Sequence, residues 1–181
     1  MEVTSLENSL KHECFQLKQS YKEFQISVGL NKQQKSPEIQ FILYSSYSRL
    51  IQHLYESLKA KVAIDVSKTK SEKNEFIEEF IQQMLINTPD RFSENSKDIH
   101  IQAQYLTFAK QLRVHRNKVS GHVLANKFSD FSLSKFFGYN CYVVRLMQLL
   151  EEEYSTELVD IVNKEAIQEF SIRLTCDQGE W

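Results

Sequence analysis

Apolar residues recur at alternating steps of three and four along most of this chain, the spacing that lays them on one face of an α-helix. Leu6, Leu10, Cys14, Leu17, Tyr21, Phe24 and Val28 form one such stripe. It predicts a helix over residues 5–28, with Ser5 as its N-cap and Gly29 at its end. A polar loop follows, and Pro37 then suits the first turn of a second helix reaching about Val66. Its stripe is Ile39, Leu43, Tyr47, Leu50, Ile51, Leu54, Leu58 and Val62. A third helix, residues 72–86, turns Phe76, Phe80, Ile81 and Leu85 inward and stops at Asn87-Thr88-Pro89. The next pattern runs from Ile99 to Ser120 on Ile101, Tyr105, Phe108, Leu112 and Val119, with Gly121 placed to end it. A long helix over residues 132–154 carries Phe136, Phe137, Val143, Val144, Leu146, Met147 and Leu150. An amphipathic segment over residues 156–174 precedes a short tail, residues 175–181. Strand-like alternation is confined to Tyr142–Val144, inside a longer helical pattern. The reading is one all-α domain over residues 1–181, an antiparallel helical bundle of five to six helices.

Composition supports helix and narrows the function. Four Gly and two Pro leave long stretches without a breaker. With 22 Lys and Arg against 24 Asp and Glu, the chain is no general cationic coat for nucleic acid, so any phosphate binding must be local. Cys14, Cys141 and Cys176 form no CxxC pair, which fits a reducing compartment, and Cys141 reads as a packing residue. The N-terminus has no apolar run suited to a signal peptide, and no window nears the roughly 18 apolar residues of a membrane span. The expectation is a soluble, cytoplasmic protein with no membrane association. The acidic run Glu72–Glu79 reads as a solvated face.

Charge singles out one stretch. Between Asp98 and Asp130 there is no acid, while Lys110, Arg113, Arg116, Lys118 and Lys127 all fall inside, together with His115 and His122. Cations beside imidazoles that titrate near neutrality suit a phosphate-bearing ligand. Other chemistries lack their residues. No Glu-x-x-His pair of the di-metal bundles occurs, His53 and Glu56 stand in the reverse order, and there is no HExxH, so neither metal nor cofactor is expected. Walker loops, GxGxxG turns and GxSxG elbows are absent. In Arg116-Asn117-Lys118-Val119-Ser120-Gly121-His122, the Arg and the closing His lie six positions apart, about 9 Å along a helix axis. An Arg fork can hold a phosphodiester there while an imidazole moves a proton, with Asn117 as donor and acceptor. Equally, Arg116 can cap carbonyls at a helix end with His122 in support. The residues alone leave both open.

The string RNKVSGH resembles the signature of the HEPN superfamily: Arg, a polar residue (Asn, Asp or His), then a His after a few positions. Arg116, Asn117 and His122 match it, on a late helix followed by another long one, as in HEPN bundles. The resemblance is carried by residues 99–150; elsewhere it is one of helix pattern, similar to HEPN toxins of bacterial defence and toxin–antitoxin systems. It implies a metal-independent endoribonuclease acting as a homodimer, with two motifs facing one cleft. Arg116 would then stabilise charge on the scissile phosphate, and His122 would be base toward the ribose 2′-OH or acid toward the leaving 5′-oxygen. Asn117 would orient the phosphate or the His, and Arg113, His115, Lys118 and Lys127 would contact flanking RNA. HEPN toxins paired with nucleotidyltransferase antitoxins often carry a Tyr two residues after the His; here that residue is Leu124, which leaves a binding antitoxin or self-control by a larger system as what the resemblance allows. The alternative is a non-catalytic HEPN-like module that binds RNA, nucleotide or protein.

Overall fold

The computed structural model describes residues 2–66, 68–88, 99–120 and 132–154. All regular structure among them is helical: α1 (Glu2–Gln33), α2 (Pro37–Asp65), α3 (Lys68–Ser71), α4 (Asn74–Asn87), α5 (Ile99–Ser120), α6 (Ser132–Phe136) and α7 (Asn140–Glu153), with a 3-10 turn at Phe137–Tyr139. The expected all-α class holds. The segment 156–174 and the tail lie outside the described residues, as do Gly121, His122 and Lys127.

α1 and α2 form an antiparallel pair, shown by how their contacts advance. Ser27 meets Ser46 at 2.9 Å, Glu23 meets Arg49 at 2.7 Å, and Glu13 meets His53 at 2.9 Å. The small serines let the backbones approach here. Each hydroxyl also lies on a carbonyl of its own preceding turn, Phe24 at 2.7 Å and Leu43 at 3.0 Å. With one proton apiece, the two serines fill at most two of these three bonds at once.

Two helix limits differ from the pattern reading. α1 begins before Ser5 and runs through Gly29 to Gln33. A lone glycine lowers helix stability by only about 1 kcal/mol against alanine, and the flanking stripe outweighs that. The stop comes at Ser36, extended at φ −117° and ψ 156° as a residue before proline prefers. Its hydroxyl accepts the Ile39 amide at 3.3 Å and caps α2. Further on, the single helix expected over residues 132–154 is broken by the 3-10 turn, which contains Gly138. The break sends adjacent phenylalanines different ways. Phe136 enters the core, while Phe137, expected inward, is 48% exposed and lies across Phe24 and Tyr47.

α2 is the central element, packing against α1, α3, α4, α5 and α7. One core unites its Leu50, Ile51, Leu54, Leu58 and Val62 with Leu10 and Leu17 of α1, Ile77, Ile81 and Leu85 of α4, and Val143, Leu146 and Leu150 of α7. Phe76 of α4, expected inward, is exposed, and Ile77 takes the inward position. Cys141, read as packing, is exposed, whereas Cys14 is buried. At one end of α2 the buried Lys61 meets Asp65 at 2.8 Å and Glu153 at 2.6 Å. Burial disfavours its charge, but these two acids outweigh that and raise its pKa. Among the described residues no helix is long and apolar enough to cross a membrane.

Candidate functional site at the end of the fifth helix

The last three turns of α5 are positioned by an aromatic wedge. Tyr105, Phe108, Ala109, Leu112 and His115 share one face of the helix and are all buried. Phe136 stacks against Phe108 at 5.8 Å between ring centroids and tilts over His115 at 4.6 Å. His115 is therefore a core residue, 2% exposed, which corrects its assignment as an RNA contact: its imidazole completes the apolar stripe that fixes α5. A histidine three positions past Leu112 continues that stripe, a signal that outranked its basic neighbours.

The arginines flank the stripe. Arg113 Nε donates to Glu78 Oε1 of α4 at 2.6 Å. Arg116 Nε donates to Glu56 Oε1 of α2 at 2.7 Å, and its Nη2 donates to the same oxygen. Arg116 Nη1 donates to Asn117 Oδ1 at 3.1 Å. The Arg116 guanidinium also stands over the Tyr55 ring, 5.6 Å from its centroid, a cation–π arrangement. Tyr55 is buried and sits within electrostatic reach of all four charges. Burial is the largest cause raising its phenol pKa; Arg113 and Arg116 pull it down, and Glu56 and Glu78 push it up. Two cations and two anions thus balance around one tyrosine.

Glu78 departs from the pattern reading. The acidic run Glu72–Glu79 was expected to be a solvated face, yet the Glu78 side chain is 7% exposed. A carboxylate so buried needs a partner, and Arg113 supplies it. Glu78 falls three residues before Ile81 and seven before Leu85, on the stripe itself, which is the signal that could have exposed it. Tyr55 and Glu56 were not singled out as site residues either. In the sequence Glu56 is only a half-match to a metal motif with His53, and His53 instead bonds Glu13.

Of the site residues read from sequence, Arg113, Arg116, Asn117 and Lys118 come together on the final turns of α5, and Asn117 is exposed. His122 and Lys127 lie outside the described residues. Among the described residues no three His, Cys, Asp or Glu side chains gather as a metal-ligand set. The chain matches no family model, no curated protein and no solved structure.

Proposed function

We propose that this chain is a metal-independent endoribonuclease of the HEPN kind, a toxin or defence-system nuclease acting in the cytoplasm as a homodimer under a binding antitoxin or a larger controlling system. The observation that supports it best is the hydrogen-bonded pair Arg116–Asn117 on the final turns of α5, six and five residues before His122. The Tyr55 ring and the Asn117 carbonyl hold that guanidinium in place from sides a phosphodiester would not need. In this reading the ribose 2′-OH attacks its own 3′-phosphorus. The 2′-proton passes to an imidazole, the bond to the 5′-oxygen breaks, and that oxygen takes a proton back. The products are a 2′,3′-cyclic phosphate and a 5′-hydroxyl. His122 is assigned the proton transfers, Arg116 the phosphate charge, Asn117 its orientation, and Lys118 and Lys127 the flanking phosphates.

One observation favours a second reading, a non-catalytic RNA-, nucleotide- or protein-binding module. Glu56 and Glu78 already neutralise both arginines, as structural ion pairs would. A single assay separates the two. End-labelled RNA is incubated with the protein in EDTA beside Arg116→Ala and His122→Ala. Cleavage by wild type, lowered about 100-fold or more in each variant, with cyclic-phosphate ends and intact matched DNA, is the expected outcome. Wild type as inert as its variants on several RNAs, tRNA included, would leave the binding module.

A further inference from the structure

Arg116 offers its Nε–Nη2 edge to Glu56, and this is one of the edges by which a guanidinium takes two oxygens of a phosphate. Phosphate and carboxylate cannot share it. Resting on the ribonuclease reading, we infer that Glu56 is a resident competitor for the substrate phosphate, a latch between α2 and α5 that RNA must open.

The two ion pairs of the cluster are not equivalent, and their exposure decides which can open. Glu78 is almost wholly buried, so releasing Arg113 would strand a charge away from water. Glu56 and Arg116 are 27% and 30% exposed, so water reaches both partners and the pair is weak enough to exchange. Freed Glu56 can hydrate. Freed Arg116 keeps its place, because the Tyr55 ring and the Asn117 carbonyl hold it from other sides. Arg116 is thus the arginine that an anion can capture, and Glu56 sets how readily. Glu56 is a regulatory residue here, neither acid nor base in the reaction.

The test uses a single-stranded RNA with 2′-O-methyl on every ribose, which binds but cannot be cut, and reads its Kd by fluorescence anisotropy at fixed salt. Glu56→Gln keeps an oxygen for Arg116 but removes the charge. Its Kd is expected to fall about three- to fivefold, the value of a part-exposed ion pair. In the Arg116→Ala background the same change is expected to do nothing. On cleavable RNA, KM falls by the same factor while kcat does not rise. Should Glu56→Gln fail to fold by circular dichroism, Glu56→Ala is read by the same criteria. Unchanged or weaker binding by Glu56→Gln, with Arg116→Ala still impaired, would mean that Glu56 only positions Arg116, and the latch is wrong. A gain that persists without Arg116 would reduce Glu56 to a general repulsive charge, and the latch is again wrong. If Arg116→Ala binds and cleaves as an active wild type does, Arg116 is not the phosphate residue and the latch alone falls; if wild type itself does not cleave, the ribonuclease reading falls and the latch with it.

Discussion

Replacing Arg113 by Met keeps most of its aliphatic stem and removes the guanidinium, leaving Glu78 without its counterion and donor in a nearly dry site. Breaking a fully buried pair in this way destabilises by about 3–5 kcal/mol. Arg113 is itself 29% exposed, so some water reaches the pair, and the figure is discounted to about 1.5–3 kcal/mol. In a chain of this length that lowers Tm by roughly 4–10 °C. Glu78→Gln is milder, about 1 kcal/mol, because an unpaired Arg113 can reach solvent. The double variant Arg113→Met/Glu78→Gln contains neither charge and recovers part of the loss, giving a coupling energy of about 1–2 kcal/mol. Urea denaturation of the four proteins measures the cycle. Losses that simply add, to within about 0.5 kcal/mol, would refute the claim that Glu78 depends on Arg113. The cycle also serves the functional question. RNA affinity of Arg113→Met measured in the Glu78→Gln background reports any phosphate contact by Arg113 free of its effect on the fold.

Two other outcomes follow from the packing. Phe136→Ala empties a site walled by Phe108, His115 and Tyr139 and is expected to lose about 3–5 kcal/mol by denaturant titration, whereas half-exposed Phe137→Ala loses under about 1.5 kcal/mol; similar losses would mean that the helix break does not separate them. Burial pushes the Cys14 thiol from 9.0 up to about 11, so between those values the folded chain keeps a proton that the unfolded chain releases. Stability therefore falls as pH rises through that window, with a contribution from Cys14 of about 1.4 kcal/mol per unit at most, and Cys14→Ala should flatten the decline measured from pH 8 to 11. An equal slope in the variant would show that the thiol is not what titrates.

The helices were legible in sequence where boundary chemistry and periodicity agreed. Pro37 starts α2 where its place in the sequence puts it, and α5 spans the residues its stripe predicts, Ile99–Ser120. Periodicity failed at stripe edges. Phe76 and Phe137 sit beside inward positions, and an apolar residue one step off the face is exposed without breaking the pattern. Around Arg116 the gap in acidic residues is local to α5 and could not show what faces it. Glu56 is 60 positions away along the chain, and nothing local to α5 encodes that meeting. The neutralising carboxylates belong to tertiary packing, which a one-dimensional charge count does not see.

The junction of His115 and Arg116 makes the length of α5 itself a heritable constraint. His115 is clamped by Phe136, so the helix cannot rotate to absorb a change in residue number. One codon gained or lost between His115 and Arg116 would swing the guanidinium by about 100°, away from Tyr55 and Glu56, although every side chain remained present. Seven codons together, close to two turns, would nearly restore its bearing but carry it about 10 Å along the axis. The spacing between the clamp and the arginine thus binds this turn of α5 as tightly as the identity of its side chains does.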